Sequence, residues 1–327
     1  MAGRGAVNRQ VQVGVESTPG TPVAASKLLP SMSLTLSPEI DNKEYRAQGW
    51  KMSTANKIIH FDGGAALAGP LNYSEIVYLL NTLVTGVIST PGGGTISRKH
   101  KFSPTATGTD AFKTLTIQEG DATAAVQMAY GLLTEFGLTA NDSGADVTGT
   151  LVGYAPTNTT LTGSPTTIAQ LPIGPREIDV YIDPTFGAIG TTKISDALSF
   201  NFSIGNKQVK KRVLNTTYQS FKETVESVPT LKAGFVTEHN LQSRNLYATV
   251  TAASNPTQYV RLKSTGAIIE AAIPYSLQLD LACQIIDMNQ QEVESVWGYE
   301  YVLNPIYDSA FGNKLFDIEA VNTITAL

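Results

Sequence analysis

Reactive side chains are scarce in this chain: 327 residues hold one cysteine, Cys283, and three histidines. A lone cysteine excludes an internal disulfide, a multi-cysteine zinc site and a C-x-x-C redox pair. The histidines His60, His100 and His239 lie far apart, and none sits in an H-E-x-x-H frame. No Walker A, G-x-S-x-G or G-x-G-x-x-G pattern is present. Charge is sparse as well: 16% of residues are charged, the net charge is −5 and the pI is near 5.3, which argues against a basic nucleic-acid-binding domain. No apolar run approaches the roughly 18 residues that span a bilayer. The opening residues Met1 to Ala6 carry no apolar segment suited to a signal peptide. The expectation is a soluble chain made in a cytoplasm, held together by packing and assembly.

What is abundant is turn and strand chemistry. The chain has 38 Thr, 28 Gly, 16 Pro and 13 Tyr, a composition of strands and turns more than of long helices. Apolar residues alternate at Val11, Val13 and Val15; at Leu34 and Leu36; at Leu115 and Ile117; and at Leu132, Phe136 and Leu138. They alternate again at Ile178, Val180 and Ile182; at Phe200 and Phe202; and at Leu277, Leu279, Leu281 and Cys283. Each set faces one side of a pleated strand. One segment has helical spacing: Ile76, Leu79, Leu80 and Leu83 predict about three turns over 72–83, with Asn72 or Ser74 as cap and Gly86 as stop. The length suggests about two domains.

An internal repeat organises the chain. Thr114–Tyr154 aligns with Tyr259–Tyr299 at a constant spacing of 145, placing Tyr130 on Tyr275, Leu132 on Leu277, Phe136 on Leu281, Leu138 on Cys283 and Gly153-Tyr154 on Gly298-Tyr299. Upstream, Val13 falls on Val180, Val15 on Ile182, Glu16 on Asp183, Thr18 on Thr185 and Gly20 on Gly187. Ser33-Leu34-Thr35-Leu36-Ser37 then meets Ser199-Phe200-Asn201-Phe202-Ser203. Two tandem β-domains follow: an N-terminal arm 1–10, a first domain 11–155, a linker 156–175 rich in Thr, Pro and Gly, a second domain 176–300, and an arm or final strand 301–327. The extra residues of the first copy are expected to be the helix and the loop Ser89-Thr90-Pro91-Gly92-Gly93-Gly94-Thr95.

Reactive constellations are weak. Asp142 and Asp146 lack the spacing and distal Glu of a Ca²⁺ loop and read as a hairpin turn. Glu177, Asp179 and Asp183 alternate with apolar residues as the solvent face of a strand does, and would serve glycoside hydrolysis only across a cleft. The sequons at Asn158 and Asn215 carry no weight without secretion. No catalytic, cofactor or metal residue emerges, and the chain reads as non-enzymatic. Two basic runs, Arg98-Lys99-His100-Lys101 and Lys207 to Arg212, lack interleaved aromatics. Arg98, Lys99, Lys101, Lys207, Lys210, Lys211 and Arg212 are therefore the candidates for contacts between subunits or rings, against an acidic face. Domains of this kind leave strand edges that a neighbour must cover, and a ring of head-to-tail contacts covers them all.

The opening Val13-Gly14-Val15-Glu16-Ser17-Thr18-Pro19-Gly20-Thr21-Pro22-Val23, the Ser-Leu-Thr-Leu-Ser strand after it, the stretch Phe112 to Ile117, and Ala129-Tyr130-Gly131-Leu132 leading to Gly153-Tyr154 resemble the tail tube (major tail) proteins of long-tailed bacteriophages. The resemblance implies a β-sandwich or barrel with a flanking helix, joined sheet to sheet into rings of six domains that stack into a conduit for DNA. Apparent duplication here implies three chains per ring. It also implies a place in the virion tail, self-association, other tail components (tape measure, tail terminator, baseplate or tip proteins) and transiting phage DNA as partners, and no cofactor. A lumen that does not grip phosphate would let DNA slide, since each Lys or Arg contact strengthens binding. The competing reading is a carbohydrate-binding, adhesin-like or capsid-decoration β-sandwich. An exported hydrolase would need a converging acid pair, and the sequence offers none.

Overall fold

Residues branched at Cβ favour extended backbone, and the computed structural model, which describes residues 8–84, 86–91, 94–105, 107–214, 220–251, 256–293 and 295–327, is mainly β. The first half runs β1 (Gln10–Val15), β2 (Lys27–Leu28), β3 (Ser33–Tyr45), β4 (Ala55–Pro70), α1 (Ile76–Leu83), β5 (Gly86–Ser89), β6 (Arg98–Phe102), β7 (Leu115–Gly120), β8 (Ala125–Asn141), β9 (Gly144–Tyr154), β10 (Thr157–Thr159) and β11 (Thr166–Thr167). The second runs β12 (Ile178–Asp183), β13 (Ala197–Gly205), β14 (Gln208–Lys211), β15 (Glu223–Glu226), β16 (Thr230–Glu238), α2 (Leu241–Thr251), β17 (Gln258–Glu270), β18 (Ile273–Val293), β19 (Val296–Pro305) and β20 (Phe316–Asn322). Among the described residues no helix is long and apolar enough to cross a membrane.

One order of antiparallel ladders occurs in both halves. In the first, β3 pairs with β4, β4 with β9, β9 with β8, β8 with β7 and β7 with β1. In the second, β13 pairs with β16, β16 with β19, β19 with β18, β18 with β17 and β17 with β12. A helix follows β4 in the first half and its ladder equivalent β16 in the second, so α1 is not the extra material of the first copy. The β5–β6 hairpin lies in that interval of the first half, whereas β14–β15 is inserted between β13 and β16 of the second.

The register of the repeat differs from that read off the sequence. Both long strands carry a bulge, at Leu133/Glu135 in β8 and at Ile285/Asp287 in β18. Superposing the bulges and the hairpin ends Asn141 and Val293 matches Phe136 to Met288 and Leu132 to Gln284, not to Leu281 and Leu277. The two alignments differ by seven residues: in a regular strand an odd slip exchanges the faces, but the bulge takes up one step, so Phe136 meets a core-facing residue at either match. The bulge, invisible to period-2 patterning, fixes the true one. It also breaks the expected alternation: Leu133, Phe136 and Leu138 enter the main core, while Leu132 turns to a separate cluster with Tyr130 and Phe221.

The acidic turn after the opening strand is present twice. Glu16, 2% exposed, accepts hydrogen bonds from the Gly20 N–H at 2.7 Å, Thr114 Oγ1 at 2.7 Å, Thr116 Oγ1 at 2.9 Å and the Tyr130 N–H at 2.9 Å. Asp183, also buried, accepts from the Gly190 N–H at 2.9 Å and from Thr191 and Thr192. The glycine equivalent to Gly20 is thus Gly190, not Gly187: both sit at positive φ, +78° and +87°, where a side chain is strained.

Other boundaries shift too. The helix is shorter than predicted, with every residue of Ile76–Leu83 buried, and Asn72 Oδ1 accepts from the Ser74 N–H instead of capping it. A division at 300/301 would cut β19, and 156–175 contains β10 and β11. The tail is a final strand: β20 lies between β18 and β6 of its own chain. Of the expected features, residues 1–7 of the N-terminal arm, Gly92, Gly93 and Asn215 lie outside the described residues.

One apolar cluster runs through both halves, so the two share a core. Phe202 of β13, 1% exposed, packs edge-on against Phe136 of β8 at 6.5 Å and Phe316 of β20 at 5.8 Å. Replacing Phe202 with alanine is expected to cost about 3–5 kcal/mol of stability, the usual range for emptying a buried phenylalanine site. Chemical denaturation checks it.

Candidate assembly interface

The halves meet edge to edge. On the side of β8 opposite β9, Phe136–Ala140 pairs with Ile204–Phe200 of β13. The same geometry poses the question of where the equivalent edges go. Cys283 pairs with Gln258 of β17 on one side and Pro305 of β19 on the other. Past the end of β17, β18 continues with β19 alone over Met288–Glu292 among the described residues. That stretch is the equivalent of Phe136–Ala140. At the other end of the chain β3, the equivalent of β13, pairs only with β4 among the described residues. Among the described residues neither edge has a further strand partner, although the Leu36 N–H of β3 is bonded by the Glu119 side chain.

The same two strands leave the body as a ribbon. Beyond Asp62, where β4 last pairs with β9, residues 39–61 form a two-stranded hairpin. Its surface shows Ile40, Tyr45, Trp50 (63% exposed), Met52 (76%), Ile58 and Ile59. An isolated two-stranded ribbon is marginal in water, and the number of large apolar side chains exposed along it makes it a candidate contact site. The sequence reading passed over this element; its signal was Trp50 and Met52 set among the charged and polar residues 41–57 between two alternating runs.

The basic residues singled out from the sequence fall into two groups. Arg98, Lys99 and Lys101 lie on or beside the β6–β20 ladder: Lys99 pairs with Glu319 at 2.6 Å, Lys101 with Asp317 at 2.9 Å, and Arg98 donates to the Thr95 and Ser97 carbonyls. The others belong to the β14–β15 insertion, which reaches back onto the first half. Lys207, 2% exposed, contacts Asp110 and Glu226; Lys210 pairs with Glu39 at 2.6 Å and Asp62 at 3.2 Å; Arg212 pairs with Asp62; Lys211 pairs with Glu223 at 2.7 Å. Phe221 is pressed against Tyr130 and Tyr154, with ring centroids 5.1 and 5.2 Å away. Six of the seven thus have an acidic partner within the chain, and Arg98 has carbonyl partners.

Burial alone would raise the Asp62 carboxyl, but Arg212, Ser220 and Lys210 outweigh it and hold the group below the usual carboxylate range. Asp110 is likewise held low: Lys207 and the Thr105 N–H offset its desolvation.

Elsewhere the titratable groups have separate structural partners. Glu177 accepts from Tyr73 Oη at 3.2 Å, Asp179 pairs with Lys193 at 2.5 Å, and Asp183 faces its own loop, so these carboxylates do not converge. His100 is buried, which lowers its pKa, with Nε2 3.0 Å from the Ile324 carbonyl oxygen; His239 lies against the Tyr299 ring, and His60 is half-buried on β4. Asn141–Gly144 is the β8–β9 turn. Glu270, at the end of β17, is clasped by the N–H groups and hydroxyls of Thr95 and Ser97, which lower its pKa. Among the described residues no group of three His, Cys, Asp or Glu could hold a metal ion. Burial pushes the Cys283 thiol up to about 12. In comparisons with known proteins, no family model and no curated protein matches the chain.

Two outcomes follow for the insertion. Folded-state values of Asp62 and Asp110 lie below the unfolded ones, so their contribution is present above the ordinary carboxylate range and lost as pH falls through the folded values. Limited proteolysis over a descending pH series is expected to open the segment 206–229 before the rest of the chain. Lys207→Ala, which strands a buried carboxylate, is expected to cost about 3–5 kcal/mol at neutral pH, read by thermal or chemical denaturation.

Proposed function

We propose that the chain is a structural subunit that polymerises with copies of itself into stacked rings, the tail tube of a long-tailed phage. The observation that carries this reading is the doubled ladder order with one junction made inside the chain, β8 to β13, and its two counterparts, β18 and β3, without a strand on that side among the described residues. Pairing β3 of one copy with β18 of the next repeats the internal junction between molecules. A head-to-tail contact of this kind closes when its rotation divides a full turn. Six equivalent units would then come from three chains, a pseudo-hexameric trimer. The ribbon 39–61, projecting with its apolar residues exposed, suits contact between rings, and a non-closing contact stacks them into a tube.

In this reading the work is mechanical, with no reaction centre. Lys99, Lys101, Lys207, Lys210, Lys211 and Arg212 have acidic partners within the chain, which supports a wall with little cationic grip on passing DNA. Tape-measure, terminator and baseplate or tip proteins are the expected neighbours, and the virion tail the expected location.

Electron microscopy of the purified chain is expected to show hollow rings or tubes, and native mass measurement of one ring to give three chains. Persistent monomers refute the reading, and six chains per ring refute the trimer. Asn201 pairs with Thr139 at the internal junction, so the equivalent pair between copies is Thr35 with Gln291. The double variant Thr35→Cys/Gln291→Cys is expected to form disulfide-linked ladders on oxidation, while either single variant forms none.

A further inference from the structure

The bare edge of β3 lies along a groove, and the groove is obstructed. Two cavities flank the strand: one of about 460 Å³, lined by Leu28, Met32, Ser33 and Leu34, and one of about 470 Å³, lined by Thr35, Leu36, Ala125 and Val126. Arg9 and Glu119 line both, standing between them. Glu119 extends from β7, only 4% exposed, and its Oε2 accepts a hydrogen bond from the Leu36 N–H at 3.0 Å. Its other oxygen pairs with Arg9, whose side chain is 49% exposed.

Leu36 holds the place that Phe202 holds in β13, and Phe202 pairs with Leu138 of β8. Where the second half has a strand, the first half therefore has a carboxylate. A buried charge is a poor source of stability, and an inward-pointing charge on an exposed edge is a known protection against unwanted strand pairing. The pair also has a route out, because Arg9 already reaches solvent and can keep the carboxylate company there.

We infer that Arg9 and Glu119 form a gate in the groove that receives Met288–Glu292 of a second copy: Glu119 caps the Leu36 N–H in the free subunit and is displaced by the incoming strand. This rests on the self-assembly reading above. The gate raises the concentration at which edges join and so separates synthesis of the subunit from its polymerisation.

The test is the critical concentration for ring or tube formation, followed by light scattering and sedimentation, in the wild-type chain, Glu119→Ala and Glu119→Gln. Removing the charge-assisted hydrogen bond is expected to lower the threshold about tenfold in Glu119→Ala. Glu119→Gln keeps the volume and loses the ion pair, and is expected to shift the threshold in the same direction by a smaller factor. Wild-type rings with an equal or higher threshold in a folded variant overturn the gate and leave the assembly reading standing. Should Glu119→Ala fail to fold, the Gln variant alone decides. Absence of assembly by every form overturns both.

Discussion

Every backbone N–H and C=O along a sheet edge needs a partner, and the architecture of this chain is organised around that requirement. Ladder by ladder, each half hands its edge to the next strand until one is left over, and the β8–β13 pairing uses the leftover of one half to finish the other. The joint does more than bond backbone. It brings Phe136, Phe202 and Phe316 into one aromatic contact, so the apolar core passes without a break from one half into the other. A duplicated unit solved in this way remains unfinished by one edge at each end, which is a property of open arrays and not a defect of either half.

Charge is arranged to match. The β14–β15 insertion carries a dense basic run, yet its cations are drawn down onto Asp62, Asp110, Glu39, Glu223 and Glu226. The insertion thereby works as a strap, tying the second half onto the first over the aromatic cluster of Tyr130, Tyr154 and Phe221. Strap and shared core act on the same boundary from different sides, one through ion pairs and one through packing.

Much of this was legible in the sequence, and what was not has identifiable causes. Strand faces such as Val11/Val13 and Leu34/Leu36 were readable because burial imposes a period of two, and Glu16 and Asp183 were matched by position; the solvent face expected for Asp183 was wrong, because its own loop encloses the carboxylate. The alignment of the halves was out of register by seven residues, since alternating strands offer no landmark and the bulges at Leu133/Glu135 and Ile285/Asp287 that supply one leave no mark in such a pattern. Helix α2 was missed because Leu241–Thr251 is too polar for an apolar stripe, with much of its surface exposed. The partners of the basic runs were out of reach: Lys210 and Asp62 are 148 residues apart, and only the folded sheet brings them together. The same holds for Leu36 and Glu119, 83 residues apart.

The lone sulfhydryl has one last implication. Cys283 lies at the centre of β18, fully enclosed and bonded to the Gln258 carbonyl oxygen, with no appreciable thiolate near neutrality. A chain built this way offers no accessible thiol for cross-links, adducts or scrambled bridges. Its folded state is therefore held by noncovalent contacts alone, whatever the thiol chemistry of its surroundings.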